Sequence, residues 1–182
     1  MLYLKTLKKT LAVISLFSLA MLLCSCSFIN ASPEKAVEAI VEGTLEYNAE
    51  LIYKAQFEFN RDIRERFDSD FDEDEFSNEF AEMKEFFAEQ KAEQEELYAE
   101  VSYTYEIIRT NIYSRGDTEF ELFAATVEST EYADCLDLID SIAEVRISGE
   151  MILTDKDGYT DTKDISNTFN CVCVDGKWYV TG

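Results

Sequence analysis

The chain has 182 residues, of which 47% are hydrophobic and 13% aromatic, enough to build a hydrophobic core. Its formal net charge is −22, from 38 acidic and 16 basic residues, which disfavours nucleic acid and anionic membrane surfaces as partners. It has no histidine, so it lacks the commonest general base and transition-metal ligand, which argues against zinc enzymes and serine hydrolases. Cations and basic proteins are the partners that remain. The alternative explanation is that the acidic surface serves only solubility.

The amino terminus has the layout of a signal peptide. An uncharged apolar run, Leu11–Leu23, follows three lysines: Lys5, Lys8 and Lys9. The run is too short to span a bilayer stably, and a basic start before a short apolar run is typical of a signal peptide.

A cysteine motif, Leu23-Cys24-Ser25-Cys26, ends this apolar run. It resembles the lipobox of bacterial lipoproteins, in which a leucine lies three positions before the lipidated cysteine and a small residue lies directly before it. Cys26 fits this pattern with Leu23 and Ser25, whereas Cys24 would have bulky Leu23 directly before it. The resemblance therefore implies that Cys26 is lipidated and anchors the protein outside the cytoplasm of a bacterial cell.

This assignment divides the chain into three parts. We expect a signal peptide in residues 1–25, the lipidated Cys26 with a short tether in residues 26–31, and one domain in residues 32–182. The processed chain would have 157 residues and a net charge of −25, because three lysines leave with the first 25 residues. The extended tether reaches only on the order of 20 Å, so the domain would lie close to the bilayer.

The first half of this domain predicts helices. Ser32-Pro33-Glu34 has the chemistry of a helix start, and apolar residues then recur at helical spacing to Phe67, with a break near Asn48. After an acidic run from Asp68 to Glu75, a second helix has one apolar face, made of Phe76, Phe80, Met83 and Phe87.

The second half predicts mainly strands. Alternation begins at Val101, with a bulge near Ile107-Ile108. A turn at Ser114–Asp117 leads to a returning strand with Phe120, Leu122 and Ala124, and a short helix covers Tyr132 to Ile142, capped by Ser129 or Thr130. Two further strands flank the turn Asp155–Gly158.

The chain ends with its strongest hairpin signal. Asn170–Val174 and Lys177–Thr181 flank Asp175-Gly176, a two-residue turn sequence. This register pairs Cys173 with Trp178, Cys171 with Val180, and Val172 with Tyr179. Since both faces are apolar, we expect the hairpin to be buried on both sides near the sheet centre. Helices followed by strands predict an α+β fold with N-terminal helices packed on a curved antiparallel sheet of about four to six strands.

Two segments resemble small secreted lipoproteins of the cystatin-like or NTF2-like kind. They are Ser32–Val37, a typical opening of the first helix, and Val174–Val180, a typical last hairpin with its tryptophan under that helix. The resemblance implies a curved antiparallel sheet wrapped around an N-terminal helix. It implies no single activity, because that scaffold carries enzymes, binding modules and inert spacers.

Three motifs suggest chemistry, and each has a simpler explanation. Asp68, Asp70, Asp72 and Glu79 follow the spacing of a calcium loop, but Glu73 stands where the turn needs glycine, which favours a solvated loop that caps a helix. Asp155, Asp157, Gly158 and Asp161 are a weaker match, best explained by a hairpin turn. Arg115-Gly116-Asp117 matches an integrin-recognition tripeptide, but ordinary turn chemistry accounts for it.

The remaining candidate site residues are cysteines, tyrosines and acids. Cys171 and Cys173 lie on one strand about 6.6 Å apart, too far to bridge each other. Cys135 could pair with one of them, but we favour three small core residues. For acid–base catalysis the eligible residues are Tyr103, Tyr105, Glu121 and Asp161, although strand alternation explains them equally well.

We therefore expect a non-catalytic lipoprotein without metal or cofactor, which binds or spaces an unknown partner. The alternative is a small-molecule carrier or enzyme that uses the concave pocket of the sheet.

Overall fold

The computed structural model describes residues 29–68, 70–130 and 133–181. Cys26 and Cys24 lie outside the described residues, together with the whole signal-peptide segment 1–25. Ser69 and Tyr132 lie outside them as well.

The α+β fold predicted from the sequence is confirmed, because helices pack on an antiparallel sheet of four strands over the described residues. The helical elements are α1 (Pro33–Leu45), α2 (Ala49–Ile52), a π-helical turn (Tyr53–Phe57), α3 (Glu58–Phe67), α4 (Glu73–Leu97), α5 (Thr118–Val127) and a 3₁₀ helix (Ala133–Leu138). The strands are β1 (Tyr98–Ser114), β2 (Ile139–Asp155), β3 (Thr160–Val174) and β4 (Lys177–Val180), in the spatial order β1-β2-β3-β4.

Helix α1 begins where the sequence predicts it. The Ser32 Oγ accepts a hydrogen bond from the Lys35 amide at 3.3 Å, and Pro33 occupies the first turn. Its apolar stripe packs on one face of the sheet, which we call the first face. The buried residues of this core include Val37, Ile40, Val41, Val145, Ile147, Cys171 and Val180.

The predicted break near Asn48 is confirmed. Tyr47 has a φ of 55°, and the Asn48 amide donates to the Gly43 carbonyl at 2.7 Å, which ends α1. A Cβ on Gly43 would lie 2.7 Å from Ile52 Cγ1. Glycine is therefore needed here because α2 packs directly against α1.

Helix α4 packs against the preceding helices through the aromatic face that the sequence predicts. Ring centroids are 4.5 Å apart for Tyr53 and Phe80, and 6.1 Å apart for Phe57 and Phe76. Asp72 caps the helix, because its Oδ1 accepts from the Asp74 amide at 2.8 Å. Most of the helix beyond this face is exposed, so α4 lies over the surface, as expected from its polar sequence.

The register of the last hairpin is confirmed, but its position in the sheet is not the one expected. Cys173 pairs with Trp178, Cys171 with Val180, and Val172 with Tyr179. However, β4 is an edge strand, not a central one. The hairpin is still buried on both sides, because α1 covers the first face while α3 and α5 cover the opposite one, the second face.

The returning strand after β1 is a wrong prediction, because α5 occupies residues Thr118–Val127. Phe120, Leu122 and Ala124 fit a strand period, but Phe120, Phe123 and Val127 fit a helical one equally well. The helix prevails because Phe120, Phe123 and Ala124 then pack together on the second face.

The helix expected from Tyr132 to Ile142 is only partly correct. A 3₁₀ helix spans Ala133–Leu138, whereas Ile139 and Ile142 already belong to β2 and pair with Val174 and Val172. Sheet pairing therefore outweighs the local helical spacing. The bulge predicted in β1 is confirmed, since the register shifts between Ile107 and Arg109.

Candidate functional site

An apolar trough lies on the second face of the sheet. It consists of two cavities of about 530 Å³ and 340 Å³ that share Phe123, Val172 and Thr181. Its apolar walls are formed by Phe57, Phe59, Ile63, Phe76, Leu122, Phe123, Val127, Ile139, Ile142 and Val172. A cavity of this size and apolar character is typical of binding sites.

Two helices position the walls of the trough. Helix α3 is held to the sheet edge, because the Phe59 ring stacks on Tyr179 at 5.2 Å. Helix α5 is held at its start by Arg115, whose guanidinium donates to the carbonyls of Leu136 at 2.6 Å and Ile139 at 3.1 Å. Both helices therefore contribute residues to the cavity whose floor includes Val172.

The charged groups of the trough are divided between its two cavities. In the larger cavity Arg64 contacts Glu79 at 3.4 Å, and it also contacts Asp68 at 3.9 Å. Glu119 and Glu144 line the smaller cavity, where the Tyr113 hydroxyl lies 3.5 Å from Glu144. Most of the remaining lining is apolar, so the trough is suited to an amphipathic ligand.

The titratable groups in and near the trough are better suited to binding a ligand than to transferring a proton. Burial raises the pKa of the Cys135 thiol, and the neighbouring Asp134 adds to this, so the thiol is protonated near neutral pH. Behind the trough wall, Tyr179 stacks on Phe59, and burial raises the pKa of Tyr179 to about 12, helped by the charges of Glu58 and Asp62. Glu79, the acid in the larger cavity, is paired with Arg64.

The acidic run that resembles a calcium loop is used for local structure. Asp68 Oδ1 accepts from the Asp70 amide at 2.9 Å, and Asp72 caps α4. Glu79 instead contacts Arg64. The loop therefore caps a helix, as the simpler explanation predicts. Across ranges 29–68, 70–130 and 133–181, no group of three or more cysteine, aspartate and glutamate residues is placed to hold a metal ion.

The other two motifs also form turns. Asp155 Oδ1 accepts from the amides of Asp157 at 2.9 Å and Tyr159 at 2.8 Å, which closes the β2–β3 turn at Gly158. Asp161 follows in β3 and is exposed. In the tripeptide, Arg115 holds α5 as described above, and Asp117 accepts from the Ser114 amide at 2.8 Å. This tripeptide joins a strand to a helix and is not the predicted hairpin tip.

The four residues eligible for acid–base catalysis do not converge. Tyr103 donates to Glu46, directly after α1, at 2.6 Å, and Tyr105 donates to Glu42 on α1 at 3.3 Å. Glu121 lies on α5, where it accepts from the Gly116 amide.

The two tyrosines and Glu46 border a different surface. The Glu46 hydrogen bond raises the pKa of Tyr103 to about 12, and burial raises that of Tyr105. Tyr103 and Glu46 line a cavity of about 810 Å³ with Lys84, which forms an ion pair with Glu50 at 2.8 Å. The lining of this cavity is more polar than that of the larger cavity of the trough, and its charged groups include the Lys84–Glu50 pair.

The three body cysteines are free and buried, which supports their interpretation as small core residues. Cys171 lies in the core under α1, where burial raises its pKa to about 12. Cys135 lines the trough. In the part of the chain that the structure describes, no helix is long and apolar enough to cross a membrane.

The trough is not among the sites predicted from the sequence. Its walls come from α3, α4, α5 and the sheet, which are far apart in sequence. The local signal that could have indicated it is the helical spacing of Phe120, Phe123 and Val127, which places an apolar helix face after β1.

Comparison with known proteins assigns no family. No family model matches the chain, and no curated protein matches it. Among solved structures, it is similar to the intermembrane-space region of the chloroplast protein ARC6, with 13% identity and a TM-score of 0.26. This match covers 56% of the chain and 66% of that structure, just under two thirds. Likeness at this level carries no argument about fold or function.

Proposed function

We propose that this protein is a membrane-anchored extracytoplasmic lipoprotein whose domain is a non-catalytic binding module, and that the trough is its binding site. The observation that carries the binding role is the trough itself, where apolar walls on two helices surround a sheet floor at Val172. When a ligand covers these walls and excludes water from them, the complex is stabilised by roughly 25 cal/mol per Å² of apolar surface buried.

The anchor rests on the amino-terminal sequence. The order of lysines, an apolar run and Leu23-Cys24-Ser25-Cys26 supports lipidation at Cys26. Two acyl chains on that cysteine would hold the protein stably, at about 0.8 kcal/mol for each buried methylene.

Membrane fractionation of cells tests the anchor. We expect Cys26→Ala to release the protein from membranes and Cys24→Ala, the matched control, to leave it there. Equal membrane retention of the Cys26→Ala protein would overturn the lipidation assignment.

Binding of Nile red, a neutral apolar dye, to the full-length protein tests the trough. We expect Ile63→Ser, which places a hydroxyl in the wall, to weaken dye binding several-fold. The control is Ile108→Ser on β1, an exposed isoleucine that does not line the trough. Equal dye binding by the wild type and the Ile63→Ser protein would show that the trough is not the site.

The non-catalytic assignment rests on how the acid and the thiol of the larger cavity are engaged. Glu79 is held by Arg64, and the Cys135 thiol is protonated near neutral pH. General acid–base catalysis needs a proton donor or acceptor that is poised near the working pH and reaches the substrate. The paired acid and the buried thiol do not offer one.

A further inference from the structure

We propose that the trough binds a basic amphipathic helix of a partner protein. This inference rests on the proposed function, because it names the chemistry of the partner that occupies the same site. The proposal is supported by the shape of the trough and by the charges of its lining.

The shape of the trough suits a helix. Its two cavities are neighbours that share Phe123, Val172 and Thr181 in their walls, and both are open to solvent. Helices α3 and α5 supply the side walls, with Ile63 on one and Phe123 on the other. A helix laid in such a groove buries its apolar residues at i, i+3 or i+4, and i+7, and keeps its polar face in water. An open trough allows this division.

The charges of the trough favour a basic polar face. Within the described ranges, three carboxylates line it, from Glu79, Glu119 and Glu144. A fourth, from Asp68, contacts the one guanidinium in the lining, that of Arg64. The lining is therefore net negative, and lysine or arginine on the partner would meet opposite charge in both cavities.

The same charges argue against two other occupants. A second copy of this chain would bring a further formal charge of −22 to an acidic lining, which is repulsive. An anionic amphiphile would have to place its head group beside Arg64, which two carboxylates already neutralise.

The test uses a fluorescent Leu–Lys peptide of about 18 residues, which forms about five helical turns with one apolar and one basic face. Its controls are a Leu–Glu peptide with the same apolar pattern and a Leu–Lys peptide of scrambled order. The protein is the full-length chain in phosphatidylcholine nanodiscs, and the anisotropy change with empty nanodiscs is subtracted. We expect saturable binding of the Leu–Lys peptide alone, weakened as salt rises because the charges of the lining are exposed.

Variants locate the binding site. Ile63→Ser should weaken peptide binding about tenfold or more, and Ile108→Ser should leave it unchanged. Phe123→Ser provides a second trough variant if circular dichroism shows that Ile63→Ser has not folded. Reversing Glu119 and Glu144 to lysine should weaken the Leu–Lys peptide and strengthen the Leu–Glu peptide.

Several results would overturn the proposal. These are equal binding of the two peptides, wild-type affinity in both trough variants, or protein dimers that form through the trough. Displacement of Nile red by monomeric dodecyltrimethylammonium, with no peptide binding, would assign the trough to a small cationic amphiphile instead. If Nile red binding depends on Ile63 while the peptide does not bind, the helix proposal fails and the binding site stands. If neither ligand depends on Ile63, the proposed function fails as well.

Discussion

The two faces of the sheet use alternate residues of the same strands but are covered in different ways. On the first face, Ala143, Cys171 and Val180 contact α1; on the second, Ile142, Val172 and Tyr179 contact elements that include α3 and α5. Helix α1 buries a continuous stripe of its residues. In contrast, α3, which the structure describes in full, has no buried residue, and α5, also described in full, buries only Phe120.

This difference shows how one sheet can combine a packed core with an open apolar surface. The centre of the first face is filled by small and branched residues of α1, joined by Ile52 of α2 and Ala55 of the π-helical turn, and close packing maximises dispersion contacts. The second face is covered by two short helices, which contribute few buried residues and line the trough. Stability should therefore reside mainly on the first face and ligand binding on the second.

The largest expected effect tests the first face. Ile147→Ala should lower the free energy of unfolding by about 2–5 kcal/mol, because Ile147 is 1% exposed and its loss leaves a cavity in a filled core. Urea unfolding followed by circular dichroism measures it. A loss below about 1 kcal/mol would mean that the first face is not the packed core.

The parts of the fold that sequence predicts well are those that local chemistry decides. The register of the last hairpin follows from Asp175-Gly176, since these residues adopt φ values of 51° and 73°, as a tight hairpin turn requires. The start of α1 at Ser32 and the apolar face of α4 at Phe76 are also decided by residues that are close together in the sequence. The edge position of β4 is not decided locally, because strand order depends on contacts between distant segments.

The same distinction explains why the candidate site was missed. Over the ten residues of α5, strand and helix periods overlap at Phe120 and Ala124, and only packing on the second face selects the helix. The trough exists only after α3 and α5 have taken their places on the sheet. Acids that stand out in the sequence, such as Asp72, serve to cap helices.

The second largest loss of stability is expected at the contact between α1 and α2. Gly43→Ala should lower the free energy of unfolding by about 1–3 kcal/mol, although alanine favours a helix interior by about 1 kcal/mol. The added Cβ would lie 2.7 Å from Ile52 Cγ1 and 3.1 Å from the Asn48 carbonyl oxygen, so the α1–α2 contact must open. Ser77→Ala on the exposed side of α4 is the control and should be nearly neutral. An increase in stability for Gly43→Ala would show that α2 packs loosely.

A smaller effect should appear at alkaline pH on the side of the sheet that α1 covers. The pKa of Tyr103 is raised from 10.0 to about 12, chiefly by its hydrogen bond to Glu46. The folded state therefore keeps the phenol proton after the unfolded state has lost it. This contribution to stability is complete below pH 10 and is lost as the pH rises from about 10 to 12. In urea melts across that range, Tyr103→Phe should flatten the decline. An identical decline in both proteins would show that Tyr103 titrates normally.

The smallest expected effect on stability comes from the trough. Ile63→Ala should lower the free energy of unfolding by about 1 kcal/mol or less, because Ile63 is only partly buried and its side chain lines an open cavity. Ile147→Ala removes the same atoms from a closed site, so the two substitutions are matched in chemistry and differ in the face they occupy. Water or a ligand can fill the space left at Ile63, whereas the space left at Ile147 stays empty. The ratio of the two losses, measured in the same urea titration, quantifies the contrast between the faces. Equal losses would mean that the trough is part of the core and is closed in solution, and the binding role would then lose its structural basis.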